Sequence, residues 1–176
     1  MDSPPILDFT NLSTLALATT GPDGEPHVAA VYFAIHPLPG AASQAVWRAY
    51  FFSEARSQHS QDLARDRRAA ATLYPQCFTW QEIRGLQMRG AAYRVESGID
   101  EWNAAWEQYR AKFPFVTHLK AILARNALYA FQPDWVRLVD NQRSFGFKQE
   151  WVSVAGMWHK AERQASRLPD QTGDHT

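Results

Sequence analysis

An arginine and a serine, Arg56-Ser57, stand at the point where a strand pattern changes to a helix pattern. Such a turn can hold a phosphate group, because the guanidinium charge acts together with the free backbone N–H groups of the helix start. Ser57 suits the N-cap position, where its hydroxyl accepts a hydrogen bond from the first turn. His59 follows closely and adds positive charge when it is protonated. The segment therefore predicts a phosphate-binding turn.

Strand patterns lie on both sides of this turn. Strand periodicity runs from Leu15 to Thr20, and Gly21-Pro22-Asp23-Gly24 predicts a turn, because proline presets one dihedral angle and glycine accepts positive φ. Residues 15–35 therefore predict a hairpin. The next predicted elements are a strand over 46–53, a helix over 57–65 and a strand over 69–74.

The second half of the chain predicts one long strand, two helices and three shorter strands. Residues 80–96 read as the long strand, whose interior glycines indicate a bend or bulge. Ser97 and Asp100 resemble a capping box at the start of a helix. That helix carries one aromatic face, which favours core packing. The face consists of Trp102, Trp106, Tyr109 and Phe113, and the later elements are a helix over 116–125 and strands over 127–131, 135–139 and 151–154.

Together these elements predict a mainly β fold, a closed or nearly closed β-barrel with added helices. Strands and helices do not alternate regularly enough for a doubly wound sheet. At 176 residues and 20.0 kDa, the chain suits one domain with its own core. We assign residues 1–158 to this domain, with a helical insertion at about 98–126, and expect a polar, disordered tail over 159–176.

Charge and cysteine content exclude several classes of function. Lys+Arg and Asp+Glu balance at 18 each, so no summed field attracts the protein to nucleic acid or to an anionic membrane. Cys77 is the only cysteine, which excludes an intrachain disulfide and a Cys-rich zinc site. We find neither a secretory signal nor an apolar run of the ~18 residues that a membrane helix needs. A cytoplasmic protein is the simplest expectation.

The sequence lacks the common catalytic and nucleotide-binding motifs. Gly-x-Ser-x-Gly, His-Glu-x-x-His, the P-loop and Gly-x-Gly-x-x-Gly are all missing, and the six histidines are scattered, so we predict no metal site. Seven Trp, six Tyr and ten Phe are many rings for one small core. They indicate a buried subunit interface, a pocket for a flat ligand, or simply an aromatic-rich core.

Four segments in order resemble one known family. They read "LATTGPDGEPHVAAVYFA", "YFFSEARSQHSQDLARDRRAAATLYP", "IRGLQMRGAAYRVE", and "YRAKFPF" followed by "WVRLVDNQRSFGFKQEW". This set resembles the pyridoxamine 5′-phosphate oxidase-like superfamily of FMN-binding split barrels, in a poorly characterised bacterial branch, over roughly residues 10 to 154. The resemblance implies a homodimer of six-stranded barrels with FMN bound at the subunit interface.

The resemblance also carries over to particular residues. The family's phosphate-binding turn usually reads Ser-Arg-Lys, where this chain has Ala55-Arg56-Ser57, so Arg56 keeps the arginine and Ser57 replaces the lysine charge. His27 and Tyr32 stand where the oxidases have an arginine and a lysine, so the substrate chemistry does not carry over. The implied FMN contacts are the phosphate-side residues Ser53, Arg56, Ser57 and His59, the strand residues Val31, Tyr32 and Phe33, the ring-edge residues Arg84 and Gln87, and the C-terminal residues Lys148 and Trp151.

Three functions are compatible with these residues. A flavin-dependent oxidoreductase needs no acid–base cluster of its own, because the flavin supplies the electron chemistry. A non-catalytic binding or sensing module would hold FMN, or a related flat tetrapyrrole or deazaflavin, without turnover. A degenerate barrel would dimerise without a cofactor, and Ser57 in place of lysine favours this third alternative. Catalytic residues, substrate and electron donor remain unassigned from the sequence.

Overall fold

The computed structural model describes residues 3–37, 47–119, 123 and 125–161. Nine strands of this part form one sheet. In chain order they are β1 Thr14–Thr20, β2 Pro26–Tyr32, β3 Ala34–Pro37, β4 Trp47–Glu54, β5 Arg68–Leu73, β6 Arg84–Arg94, β7 Asn126–Asp140, β8 Lys148–Val154 and β9 Met157–Lys160. The helices include α1 Gln58–Arg65 and α2 Asp100–Lys112, with 3-10 helices at Ile6–Phe9, Trp80–Glu82 and Pro114–Leu119.

The sheet is antiparallel and curls into a barrel. Its strand order is β2-β1-β5-β6-β7-β4-β3, so β2 and β3 form the two ends of the order. Only Phe33 separates these two strands in the chain, so the two ends of the sheet must lie beside each other. When β2 and β3 are counted as one bent strand, six strands surround the core. The predicted mainly β split-barrel fold is therefore confirmed.

Strand β7 is the longest strand and has partners along its whole length. It pairs with β6 on one side, and on the other side with β4 over its first half and with β8 over its second half. Residues 127–131 and 135–139, which we predicted as two strands, are thus one strand. Pro133 is tolerated within β7 because the ladder with β6 shifts register at Gly90. A Cβ atom at Gly90 would lie 2.1 Å from the carbonyl oxygen of Gln132.

The barrel interior is apolar because inward residues alternate with outward ones along each strand. Leu15 and Leu17 of β1, for example, are fully buried between outward-facing alanines. The same alternation places the aromatic rings of Phe51 and Phe131 inside the barrel, where Phe33, between β2 and β3, joins them. This core holds the barrel together by burying apolar surface.

Helix α2 covers the outer face of β3, β4 and β7. Tyr109 and Phe113 of the predicted aromatic face are buried there, as a core-packing face requires. The helix begins at Asp100, with Ile99 at the N-cap and no side-chain capping bond, so the predicted Ser97 capping box is wrong. Glu101 in the first turn instead accepts hydrogen bonds from Arg48 at 2.6 Å and Tyr50 at 3.0 Å, which fixes the helix start to β4.

Several predicted element bounds differ from the structure. The long strand begins at Arg84, after the 3-10 helix Trp80–Glu82. The helix predicted over 116–125 begins as the 3-10 helix Pro114–Leu119, and residues 120–122 and 124 lie outside the described residues. At the C-terminus β9 continues to Lys160, and residues 162–176 of the predicted tail also lie outside them. Within the described ranges, the helices are all too short or too polar to cross a membrane.

Candidate functional site

Three serine hydroxyls and one imidazole meet where β4 leads into α1. Ser57 is the N-cap of α1, and its hydroxyl accepts a hydrogen bond from the Ser60 N–H at 3.4 Å. The Ser53 hydroxyl lies 2.8 Å from the Ser57 hydroxyl and 2.7 Å from His59 Nε2. The Ser60 hydroxyl donates to Ser53 at 3.2 Å. We call Ser53, Ser57, His59 and Ser60 the hydroxyl cluster.

The His59 imidazole belongs to this cluster, with Nε2 within hydrogen-bond distance of the Ser53 and Ser57 hydroxyls. Burial lowers the pKa of its imidazole, although the nearby Asp62 carboxylate works in the opposite direction. With the proton on Nδ1, Nε2 is free to accept the hydrogen bond from the Ser53 hydroxyl. The positive charge at the start of α1 therefore comes from Arg56, whose side chain is exposed. The expected contribution of a protonated His59 is accordingly small.

Arg56 is held in place by its backbone. Its carbonyl oxygen accepts a hydrogen bond from the Gln61 side chain at 2.7 Å, one turn into α1. The first N–H groups of an α-helix have no partner within the helix and point out of its start. The Arg56 guanidinium and these N–H groups are donors that suit an anionic phosphate. The donor set thus fits the phosphate group of FMN.

The buried carboxylate of Asp62 stabilises the turn between β4 and α1. Asp62 is fully buried and accepts hydrogen bonds from Thr19 at 2.8 Å and from Gln58 at 2.9 Å, and its Oδ2 lies 3.0 Å from His27 Nδ1. Burial by itself raises the pKa of the Asp62 carboxyl, but these three contacts together hold it below its usual value. Asp62 therefore fixes α1 on the β1–β2 hairpin.

Residues 31–33 were predicted to contact FMN, but most of their side chains and backbone groups make contacts within the chain itself. Val31 and Phe33 are buried in the core, while the Tyr32 side chain is half exposed. The Phe33 carbonyl oxygen accepts a hydrogen bond from Lys112 Nζ at 2.8 Å, and the Tyr32 carbonyl oxygen accepts one from the Tyr109 hydroxyl at 3.4 Å. The Phe33 N–H donates to Ser13. Of this stretch, the Tyr32 ring is the group that faces outward.

Arg84 and Gln87 lie on β6 but have different surroundings. Arg84 pairs with Asp8 and with Asp140, 3.3 Å away, and its guanidinium lies over the Phe9 ring. Its charge thus fastens the N-terminal segment to the barrel. Gln87 is exposed on the outer face of the sheet, and its Oε1 lies 3.4 Å from an Arg137 nitrogen.

Lys148 and Trp151 both belong to β8 but differ in exposure. Lys148 is exposed at the start of the strand. Trp151 is only 7% exposed and belongs to the main core of its own protomer, where its Nε1 has no hydrogen-bond partner among the described residues. Trp151 also lines a cleft of about 350 Å³ together with Arg143 and Lys160.

The structure therefore brings together Ser53, Arg56, Ser57 and His59, as the predicted phosphate side requires. The other predicted contacts lie on β2, at Phe33 directly after it, on β6 and on β8, and neither of the two clefts of about 470 and 350 Å³ among the described residues brings them together. Sequence reasoning missed Ser60 and Asp62, although their positions on α1 place them on the helix face that turns toward the sheet. Among the described residues, no three His, Cys, Asp or Glu side chains are grouped closely enough to bind a metal ion.

A family model described as pyridoxamine 5′-phosphate oxidase matches residues 6–140 of this chain. The match covers well over half of the sequence and includes the whole hydroxyl cluster. The chain belongs to the pyridoxamine 5′-phosphate oxidase family. The UPF0306 protein YhbP of Escherichia coli O157:H7 is 29% identical over 107 residues, which cover 61% of this chain and 68% of YhbP.

Solved structures support the same fold. The conserved hypothetical protein Rv2991 from Mycobacterium tuberculosis superposes with a TM-score of 0.64 at 23% identity, covering 81% of this chain and 87% of that chain. A heme binding protein from Mycobacterium smegmatis gives a TM-score of 0.63 at 18% identity, covering 81% of this chain and 53% of that chain. Identities this low show a shared split-barrel fold and no more.

Proposed function

We propose that the protein binds FMN and acts as a flavin-dependent oxidoreductase. The observation that carries the proposal is the start of α1, where the exposed Arg56 guanidinium and the free helix N–H groups present donors to an incoming anion beside the Ser57 hydroxyl. Membership of the pyridoxamine 5′-phosphate oxidase family supports a flavin as the group that bears this anion. The balanced charge and single cysteine support a cytoplasmic location.

In this proposal the protein residues bind and orient, and the cofactor reacts. Arg56 grips two phosphate oxygens through its guanidinium, and Ser57 offers its hydroxyl where the family usually has a lysine. Tyr32 and Gln87 present an aromatic ring and an amide to the flavin ring. Bound FMN supplies hydride or electron transfer. Lys148 and Trp151 remain proposed contacts from the second subunit.

We also propose that the protein is a homodimer with its cofactor sites at the subunit interface. Large apolar side chains are exposed on the single chain, including Phe78 at 83% and Phe145 at 81%. The Phe145 ring packs against the half-exposed Trp80 ring, with the ring centroids 5.3 Å apart, and contiguous exposed apolar surface is usual at protein–protein interfaces. A light-scattering mass of twice 20.0 kDa in solution supports this part of the proposal, and a mass of 20.0 kDa at high concentration overturns it.

A second candidate function is the binding of another flat cofactor without catalysis. The heme binding protein from Mycobacterium smegmatis shares the fold, which favours this alternative over other non-catalytic functions. Absorbance spectra of the purified protein separate the two, because bound flavin and bound haem absorb at different wavelengths. Bound flavin that nicotinamide nucleotides do not reduce also favours the non-catalytic candidate.

The first prediction concerns Arg56. Arg56→Ala should weaken FMN binding about tenfold or more, because a charge-assisted phosphate contact contributes ~1.5–3 kcal/mol. Riboflavin, which lacks the phosphate, should bind the variant and the parent protein equally. Calorimetric titration of both ligands measures the difference.

Arg110→Ala on the exposed face of α2 is the matched control and should leave both affinities unchanged. An unchanged FMN affinity in Arg56→Ala would exclude the phosphate site at α1. If the folded parent protein does not retain FMN after desalting, the degenerate barrel without cofactor becomes the better conclusion.

A further inference from the structure

An open groove of about 470 Å³ lies on the sheet beside the irregular part of the β6–β7 ladder. This volume lies within the range of sites for small organic ligands. Arg68 of β5 and Arg89 of β6 line it on one side, and Asp134 and Trp135 of β7 on the other. Val152 of β8 adds an apolar wall. The groove shares no residue with the hydroxyl cluster.

The Trp135 ring in the groove wall lies against two guanidinium groups. The Arg89 guanidinium carbon lies 5.0 Å from the ring centroid, and that of Arg137 lies 4.9 Å from it. Glu150 holds Trp135 and Arg137 in place. Its carboxylate accepts hydrogen bonds from the Trp135 indole at 3.1 Å and from Arg137 Nε at 2.9 Å. The hydrogen bond to Glu150 therefore fixes the position of the indole ring.

The two arginines that line the groove differ in whether a carboxylate pairs with the guanidinium. Arg68 is bound by the Asp66 carboxylate through both Nε and an outer nitrogen, with the closest contact at 2.7 Å. Arg89 belongs to no ion pair within the part of the chain that the structure describes, and its guanidinium rests on Trp135. A guanidinium stacked on an aromatic face keeps its in-plane N–H donors available for an anion.

We propose that this groove binds a small organic anion, a carboxylate or phosphate carried on a flat apolar group. Arg89 binds the anionic group, and the apolar part packs against Trp135 and Val152. Asp134 carries the opposite charge at the other side of the groove, so the ligand binds in one direction, with its anionic end toward Arg89.

The groove and Gln87 lie on the same face of the sheet. Gln87 and Arg89 are two residues apart on β6, so both side chains point outward about 7 Å apart. If FMN binds as proposed, the groove lies beside the ring edge and becomes the substrate subsite. This link depends on the proposed function, whereas binding of the anion in the groove does not.

The test uses three matched probes, 2-naphthoate, 2-naphthyl phosphate and the neutral 2-naphthamide. Calorimetric titration of the full-length protein should show at least one anion binding about tenfold or more tightly than the amide, since a charge-assisted hydrogen bond to Arg89 contributes ~1.5–3 kcal/mol. The two anions together show whether the groove prefers a carboxylate or a phosphate.

Three variants complete the test. Arg89→Ala should remove the preference for the anion, and Asp134→Asn should strengthen anion binding because it removes a negative charge. Arg94→Ala, on the same strand about 16 Å away, is the control and should change nothing. Equal binding of anions and amide, or an unchanged affinity in Arg89→Ala, would overturn the proposal.

A parallel FMN titration separates the two proposals. Arg89→Ala should leave FMN affinity unchanged, and Arg56→Ala should leave naphthoate affinity unchanged. Anion binding without FMN binding would support the groove as a binding site and reject FMN as the cofactor. FMN binding without anion binding would support the cofactor and reject the groove as an anion site.

Discussion

Asp62 is a fully buried carboxylate on the short helix α1. Burying an unpaired charge is costly, and here three donor groups surround it, on β1, on β2 and on the preceding turn of α1. The same residue keeps Gln58 and His27 in fixed positions. Asp62 therefore connects the stability of the hairpin to the geometry of the phosphate-binding turn that precedes it.

Replacing Asp62 by asparagine should destabilise the protein by about 1–3 kcal/mol at pH 7, because an amide accepts at only one oxygen while three donors remain. The folded-state pKa of Asp62 lies below its ordinary value of 3.8. Its stabilisation is therefore fully present above pH 3.8 and is lost as the pH falls through the lower, folded-state pKa. Urea unfolding at pH 7 and under acid conditions measures both effects.

Asp23→Asn in the exposed hairpin turn is the control for this experiment and should follow the parent protein. Asp62→Asn should lack the part of the acid-induced loss of stability that comes from protonation of the Asp62 carboxylate. An equal acid-induced loss in Asp62→Asn and in the parent protein would show that Asp62 is not the group responsible.

Helix α2 is attached to the barrel at both of its ends. Glu101 binds Arg48 and Tyr50 at the helix start. Lys112 in the last turn donates to the carbonyl oxygens of Leu12 at 2.6 Å and Phe33 at 2.8 Å, and its ammonium lies 3.8 Å from the Phe33 ring centroid. The second attachment reaches the residue where β2 changes into β3, so α2 helps to fix the bend that closes the barrel.

Replacement of Lys112 by methionine keeps the apolar stem but leaves two carbonyl groups without a donor, which should cost about 1–3 kcal/mol. Burial lowers the pKa of Lys112 to about 8, against 10.5 for a free side chain. Between pH 8 and pH 10.5 the unfolded chain binds more protons at Lys112 than the folded protein does. The stability of the parent protein should therefore rise with pH over this range. Lys112→Met should lack this rise.

Urea unfolding at pH 8 and pH 10 measures the effect, and Lys148→Met on the exposed start of β8 is the control. If Lys112→Met shows the same rise in stability as the parent protein, another group causes it.

For the whole molecule, the sequence predicted the elements that local chemistry determines. The hairpin follows from its Gly-Pro-Asp-Gly turn, and α1 begins one residue after its Ser57 cap, as expected. Strand β7 was predicted as two strands because Pro133 indicates a break, whereas the structure accommodates it beside the register shift at Gly90, a residue of the neighbouring strand. The support from Asp62 and Lys112 was missed for the same reason, since Asp62 contacts His27, 35 positions away, and Lys112 contacts Leu12, 100 positions away.

Gly90 lies at the register shift of the β6–β7 ladder, so Gly90→Ala should be strongly destabilising. The added Cβ would lie 2.1 Å from Gln132 O and 2.7 Å from the Pro133 Cα, and these backbone atoms cannot move without breaking the ladder. We expect a loss of about 2 kcal/mol or more. Thermal unfolding measures it.

Gly98→Ala is the control for the close contact. Gly98 has a φ of +86° and open space around its Cβ position, so its replacement should cost only the backbone strain, about 1 kcal/mol. Equal losses in the two variants would show that the contact across the sheet is unimportant.

The joining of β2 to β3 through Phe33 also affects how the protein meets other copies of itself. A strand with unpaired N–H and C=O groups is a template for uncontrolled aggregation, and a sheet whose ends meet has few such strands to offer. The ladder that branches from β7 ends at β9, which has only four residues and carries His159 and Lys160. A short strand with a charged end is a poor template for further pairing, so this branch is protected against fibril growth.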